Sequence, residues 1–77
     1  MTSVTILLDT IEKVRDFVNK ITLIDGEFDI ISDRYIIDAK SIMGIFSLEL
    51  SKPLKMTIHS DDALDHVLEQ LKEFIVQ

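Results

Sequence analysis

The last third of the sequence constrains the fold most, because its hydrophobic repeat changes there from two residues to about 3.6. Residues 54–59, LKMTIH, alternate apolar and polar side chains, which is typical of a strand with one buried face. The polar members, which are predicted to face outward, are Lys55, Thr57 and His59. Beyond residue 60 the apolar side chains recur three and four positions apart, which predicts a helix from about residue 61 to 76, capped by Ser60 and Asp61. The apolar stripe of this helix consists of Leu64, Val67, Leu68, Leu71, Phe74 and Ile75.

The same two periods occur earlier in the chain. Alternation and β-branched residues predict three further strands. These strands span residues 3–8, 27–32 and 35–39. Asp33 and Arg34 are expected to form a tight turn between the last two of them. A helical stripe predicts a first helix from about Thr10 to Lys20. Its apolar members are Ile11, Val14, Phe17, Val18 and Ile21.

The order of the predicted elements is β-α-β-β-α-β-α, with the second helix within residues 42–48. Each strand has one apolar face and each long helix has one apolar stripe. Because such faces are buried by packing layers together, we predict an α+β fold in which a four-stranded antiparallel sheet is covered on one face by three helices. A chain of 77 residues is expected to form a single domain, here residues 1–77.

Composition and charge argue against several functional classes. The chain has no cysteine, which excludes a disulfide framework and a thiolate metal site and fits a reducing compartment. Its 14 acidic and 8 basic side chains give a net charge of -6, which disfavours contact with a phosphate backbone. The N-terminal residues lack the basic segment of a signal peptide, and no apolar run reaches the roughly 18 residues that span a membrane. We therefore expect a cytoplasmic monomer that binds neither nucleic acid nor membrane.

Residues 39–50, AKSIMGIFSLEL, are more apolar than a short surface helix requires. On a helical wheel, the five large apolar residues of this helix cover about 220°, roughly twice the width of a one-sided stripe. Two interpretations remain open at this point. In the first, all five side chains belong to the core. In the second, two point inward and three stay partly exposed as a docking patch. The inward pair is Ile45 and Leu48, and the exposed set is Ile42, Met43 and Phe46.

The segment KSIMG at residues 40–44, followed two residues later by SL, and the order of the elements together resemble the HPr family. These proteins are the small histidine phosphocarriers of the bacterial sugar phosphotransferase system, and the resemblance implies their open-faced sandwich fold. In the family, a kinase phosphorylates the serine of this segment as a regulatory switch, and that serine is Ser41 here. Its hydroxyl is also suited to cap the second helix. The apolar residues that follow dock onto enzyme I and other partners in the family. The corresponding positions here are Ile42, Met43 and Phe46.

The family's phosphate-accepting loop is missing from this sequence. In the family, a histidine opens the first helix, and an arginine and a proline follow it. When Phe17 and Val18 are matched to the family's Phe-Val pair, these three positions hold Thr10, Glu12 and Lys13. A threonine offers no nitrogen for a labile phosphate, and Glu12 places a negative charge where a phosphate requires a positive one. The resemblance therefore implies an HPr-like protein without the phosphorylatable histidine.

The two histidines and an acidic cluster are the other candidates for chemistry. His59 is predicted on the outer face of the last strand and His66 on the polar side of the last helix, where both are expected to be ordinary surface residues. Asp61, Asp62 and Asp65 lie close to His66 in the sequence, and such a set is conceivable as a metal site. A capped, solvated helix start explains the same residues, and we favour that interpretation. We expect no metal and no cofactor.

These observations predict a non-enzymatic protein that binds other proteins and is related to the phosphoenolpyruvate-dependent sugar phosphotransferase system of bacteria. Its role there would be regulatory, and its second helix would form the docking surface. Enzyme I or another component of that system is the candidate partner. Two alternatives remain open, namely a genuine phosphocarrier with a relocated acceptor and a structural relic domain without a phosphotransfer role.

Overall fold

The computed structural model describes residues 1–33, 35–59 and 64–76, and these ranges form the predicted α+β fold. The strands are β1 (Thr2–Ile6), β2 (Phe28–Ser32), β3 (Tyr35–Asp38) and β4 (Leu54–Ile58). The helices are α1 (Ile11–Thr22), α2 (Ile42–Phe46) and α3 (Leu64–Leu71), followed by a short 3-10 helix (Lys72–Phe74). None of the helices in the described ranges is long and apolar enough to traverse a bilayer.

The four strands form one antiparallel sheet in the order β1-β4-β2-β3. The register places Val4 opposite Met56, Met56 opposite Ile30 and Ile30 opposite Ile37. Because directly paired residues point to the same side of a sheet, these four residues form an apolar row across the face that the helices cover. The period-two pattern of the sequence thus predicts which face is buried.

The core lies between this face of the sheet and the helices. From α1 it receives the buried side chains of Val14, Phe17, Val18 and Ile21. The Phe17 ring meets the Phe74 ring edge-on, with ring centroids 5.4 Å apart and an interplanar angle of 90°. This T-shaped arrangement is favoured between aromatic rings and joins α1 to the end of the chain.

The two edges of the sheet differ. Along β1, the carbonyl of Thr5 accepts the N–H of Val76 at 2.9 Å, and the N–H of Leu7 donates to the carbonyl of Phe74 at 2.9 Å. Residues 74–76 therefore cover the end of the β1 edge, at Thr5–Leu7, with their own backbone. On the opposite side, β3 is the last strand of the sheet, and no further described strand pairs with it.

The third helix ends earlier than its periodicity predicts. The α-helix stops at Leu71, and after the 3-10 helix Ile75 is extended and forms an antiparallel bridge with Ile6. The prediction of a helix to residue 76 was therefore wrong, because pairing with β1 requires an extended backbone. The predicted start of this helix, including the caps Ser60 and Asp61, lies outside the described residues.

Other boundaries shift by one or two residues. β1 begins one residue earlier and ends two residues earlier than the predicted range of 3–8, and Leu8 is buried although it follows the strand. Asp33 has the positive φ of 53° that a tight two-residue turn requires, whereas its predicted partner Arg34 lies outside the described residues.

Two side chains are not where the sequence pattern placed them. Ile11 is 62% exposed, and the first buried residue of α1 is Val14, one turn later. Thr57 is only 6% exposed although it points to the open face of the sheet. Its strand is central, so that Ser3 and Asp29 flank it in the register from both sides.

Candidate functional site

The position that the family resemblance assigned to the histidine is the start of α1. Thr10 is extended there and is the N-cap residue of the helix. Its side-chain oxygen accepts the backbone N–H of Lys13 at 3.1 Å. A threonine in this role satisfies one of the free N–H groups at a helix start, which is why the helix begins where it does. The hydroxyl of Thr10 is therefore engaged in capping its own helix.

The charges around Thr10 are predominantly acidic. Asp9 precedes it, and the carboxylate Oδ1 of Asp9 lies 3.0 Å from the ammonium Nζ of Lys13. The hydrogen bond from this ammonium group holds the pKa of the Asp9 carboxyl below its ordinary value. Glu12, which the family resemblance assigned to the arginine position, is exposed in the first turn. A carboxylate in the first turn suits the helix dipole, but it repels an incoming phosphate.

The second helix begins as predicted. Ser41 is its N-cap residue, and the Ser41 hydroxyl oxygen accepts the N–H of Gly44 at 3.2 Å. At the other end, Ser47 is the C-cap residue and donates its hydroxyl to the carbonyl of Gly44 at 2.6 Å. Serine hydroxyls that bond to nearby backbone favour helix ends, so the helix is limited to five residues.

The apolar residues of α2 divide between the core and the solvent. Ile45 is fully buried, and Ile42 and Leu48 are partly buried against the core. Met43 is 78% exposed and Phe46 is 41% exposed. The burial of Ile45 and the exposure of Met43 and Phe46 agree with the interpretation of a partly exposed patch, whereas Ile42 and Leu48 are alike in being partly buried. We name the surface of Ile42, Met43 and Phe46 the α2 patch.

Ile11 is a further exposed apolar residue that the sequence analysis assigned to the core. It lies in the first turn of α1, next to Thr10, and α1 contacts α2 in the folded chain. Periodicity alone could not have identified it, since it occupies the same helical stripe as the buried residues. The signal that the sequence offers is the place of Ile11 at the very start of the stripe, where a helix end is often exposed.

The two histidines lie apart from the start of α1. His59 follows β4, and its Nε2 atom lies 2.6 Å from Oδ2 of Asp29 on β2. A carboxylate this close opposes the addition of a negatively charged phosphoryl group to the same ring. His66 is exposed on α3, as predicted.

The acidic residues near His66 lie only partly within the described part of the structure. Asp61 and Asp62 lie outside the described residues, and Asp65 is exposed beside His66. Within residues 1–33, 35–59 and 64–76, no group of three or more histidine, aspartate or glutamate side chains is arranged to hold a metal ion.

Comparison with known proteins supports the fold assignment. No protein-family model and no curated protein sequence matches this chain. Among solved structures, the crystal structure of HPr-C-His from Thermoanaerobacter tengcongensis is similar to it, with a TM-score of 0.76 and 26% sequence identity. The match covers 95% of this chain and 89% of that chain. The chain is therefore HPr-like in fold, with the four-stranded antiparallel sheet and three helices of the HPr open-faced sandwich.

Proposed function

We propose that this chain is an HPr-like protein without a phosphorylatable histidine, and that it acts by binding protein partners through the α2 patch. Its place would be in the phosphoenolpyruvate-dependent sugar phosphotransferase system of bacteria, where it would regulate rather than carry phosphate. Enzyme I or another component of that system is the proposed partner. The protein is proposed to be a cytoplasmic monomer and not an enzyme.

The observation that carries this proposal is the start of α1. Thr10, which the family resemblance assigns to the histidine position, uses its hydroxyl to cap the helix. Asp9 and Glu12 add carboxylates on either side of it, and the ammonium of Lys13 is engaged by Asp9. This arrangement offers no labile acceptor, and the nearest cation in the sequence is already paired with a carboxylate, whereas Met43 and Phe46 of the α2 patch are exposed for contact with a partner.

The exposed side chains suit protein recognition. Met43 is flexible and polarisable, so it can adapt to an uneven partner surface. Phe46 is half-exposed at the end of the same helix, where an aromatic ring can bury considerable area in a complex. Large apolar side chains that remain in water on a small domain are typical of interaction sites.

A phosphotransfer assay tests the missing acceptor. The chain is incubated with enzyme I from the same genome, radiolabelled phosphoenolpyruvate and Mg²⁺, with a histidine-containing HPr as the positive control. We expect label on the control and none on this chain. Stable label on His59 or His66 would support the alternative of a relocated acceptor and contradict the proposal.

A binding assay tests the α2 patch. Met43→Ala and Phe46→Ala are compared with Leu23→Ala, which truncates an apolar side chain of 87% exposure at the other end of α1. The affinity for enzyme I is measured by titrating the ¹⁵N-labelled chain. We expect this affinity to fall about tenfold for each patch variant and to be unchanged for the control, since central apolar contacts dominate the binding energy of interfaces. Equal binding by all variants, with unchanged melting curves, would favour the structural relic.

Modification of Ser41 is a further part of the proposal that comes from the family resemblance. The hydroxyl of Ser41 caps α2 immediately before Ile42 and Met43, so a phosphate there would place negative charge beside apolar contacts. We expect Ser41→Asp to weaken binding of enzyme I relative to Ser41→Asn, which supplies a capping oxygen without charge. Equal binding by the two variants would exclude such a charge switch.

A further inference from the structure

We propose that the outer edge of β3 is a second binding surface, which accepts an extended segment of a partner protein as an added antiparallel strand. The added strand carries a basic side chain opposite Asp38 and, two residues later, an apolar side chain opposite Ile36. This surface is separate from the helix face that forms the α2 patch.

In the described ranges, the chain covers part of one sheet edge and none of the other. Residues 74–76 pair with the backbone of β1, whereas β3 is the last strand on the other side in the described part of the structure. β3 also carries two large apolar side chains in water, since Tyr35 is 62% exposed and Ile36 is 69% exposed. An open edge with exposed apolar residues is a template for pairing with another strand.

The hydrogen-bond pattern shows which backbone groups face outward. The N–H of Ala39 donates to the carbonyl of Phe28 at 2.9 Å, so these opposed residues form a hydrogen-bonded pair. Bonded and non-bonded pairs alternate along an antiparallel ladder. The pair at Ile37 is therefore bonded to β2, whereas the backbone groups of Ile36 and Asp38 point away from β2.

Three of these outward groups are available to an added strand. They are the N–H and carbonyl of Ile36 and the N–H of Asp38. The carbonyl of Asp38 already accepts the N–H of Ser41 at 3.0 Å, which closes the turn into α2. An antiparallel strand can therefore exchange both backbone bonds with Ile36 and accept one from Asp38.

The charges beside this edge select the occupant. Asp38 lies directly opposite Asp29, whose Oδ2 also lies 2.6 Å from Nε2 of His59, and two like charges placed opposite each other destabilise a cross-strand pair. A cavity of about 220 Å³ is lined by Glu27, Asp29 and Asp38, together with Lys40. The Lys40 ammonium is committed to the carbonyl of Ile24 at 2.8 Å. A lysine or arginine on an added strand would enter this acidic cavity and relieve the repulsion.

The next row of the sheet selects an apolar residue. Ile36 is opposite Ile31, and a residue of the added strand opposite Ile36 would extend this apolar row by one position. A second copy of the chain is a poorer occupant than a basic segment, because each copy carries a net charge of -6 and two copies repel each other.

Three synthetic peptides test the proposal on the ¹⁵N-labelled full chain. The peptide STVKTITST carries the basic and apolar residues at the proposed spacing. STVETITST reverses the charge, and STVKTTTST removes the apolar side chain. We expect the first peptide to shift the amide signals of Ile36 and Asp38 most, and each control to bind about fivefold more weakly, as for the loss of a good cross-strand pair.

Two variants identify the surface. Asp38→Asn keeps the side-chain oxygen that accepts the N–H of Lys40 at 2.9 Å, so the turn is retained while the charge is removed. With this variant, we expect the affinities of the lysine and glutamate peptides to converge. Ile36→Lys should abolish binding and leave the melting curve unchanged, because the side chain is already exposed.

Several outcomes would overturn the proposal. One is the absence of shifts at about 1 mM of the first peptide. Others are equal affinity of the lysine and glutamate peptides for the unmodified chain, and shifts confined to the α2 patch. Shifts of Ile36 that grow with protein concentration in the absence of peptide would instead identify a second copy of the chain as the occupant.

Discussion

Gly44 shows how a single residue sets the distance between a helix and the sheet. A Cβ atom added at this position would lie 2.5 Å from Cγ2 of Ile37 and 3.1 Å from Oγ of Ser41. The Ile37 atom belongs to a stiff, β-branched side chain in β3, so it cannot move away easily. The absence of a side chain at Gly44 therefore allows α2 to pack against β3.

Gly44→Ala is expected to destabilise the fold by about 1–3 kcal/mol, the usual range for an overpacked core. In an open helix position the same change stabilises, so the sign of the effect is informative. Asn19→Ala, at an exposed position of α1, is the control for alanine in a helix and should be neutral or slightly stabilising. Urea denaturation of both variants measures the difference, and a stabilised Gly44→Ala would refute the close contact.

The ion pair of Asp9 and Lys13 gives a prediction for acid pH. The pKa of Asp9 is lowered in the folded state. Its contribution to stability is therefore present above the pKa that Asp9 has in the unfolded chain, and it is lost as pH falls through the folded-state pKa. Lys13→Met should raise the pKa of Asp9 towards its ordinary value, whereas Lys52→Met, which removes the partner of Glu49, should not. Carboxyl NMR titration measures this, and an unchanged Asp9 curve in Lys13→Met would contradict the assignment.

At the scale of elements, fewer residues of α3 and the following segment are fully buried than their apolar stripe suggests. Leu71 is fully buried, whereas Leu68 is only partly buried against the core. The 3-10 helix then directs Phe74 onto Phe17 and leads Ile75 to β1. The stripe thus contains residues of different energetic importance, which spacing alone does not distinguish.

Truncation of Leu71 and of Leu68 should lower the free energy of unfolding by different amounts. Leu71→Ala is expected to cost about 2–5 kcal/mol, because a fully enclosed side chain leaves a cavity. Leu68→Ala should cost less, since solvent already reaches that side chain. Chemical denaturation compares the two free energies of unfolding. An equal or larger loss of stability for Leu68→Ala would contradict the partial burial of Leu68 on α3.

At the scale of the whole molecule, the two edges of the sheet differ in protection. The β1 edge is bonded to residues 74–76 at its Thr5–Leu7 end, and the β3 edge is open in the described ranges. A domain of this size has little stability to spare, so an open apolar edge is a liability unless it is used. This difference underlies the inferred strand-binding surface.

Amide hydrogen exchange should show the difference directly. The N–H of Leu7, which donates to the carbonyl of Phe74, and the N–H of Ile37 in the bonded pair with β2 are expected to exchange slowly. The N–H of Ile36 is expected to exchange much faster, because it faces the open edge. NMR-detected exchange in D₂O provides the rates, and slow exchange at Ile36 would show that the edge is already covered.

Much of the site was predictable because it depends on local chemistry. Ser41 was predicted to cap α2 because a short side chain with an oxygen can accept the N–H groups of the residues that follow, and α1 was predicted to begin at about Thr10. The KSIMG segment and the order of elements predicted the HPr fold that the solved structure supports. The docking role of the α2 patch stays a prediction, although its exposure agrees with the second of the two interpretations.

What the sequence determined by itself was therefore the period of each element, the buried face of the sheet, the cap of α2 and the residue types at the start of α1. The tertiary structure decided that Ile11 is exposed and that Thr57 is covered by the strands beside it. It also decided that the end of α3 opens to pair with β1 and that β3 remains an edge. Hydrophobic period depends on neighbours a few residues away, whereas exposure and edge pairing depend on which distant residues lie alongside.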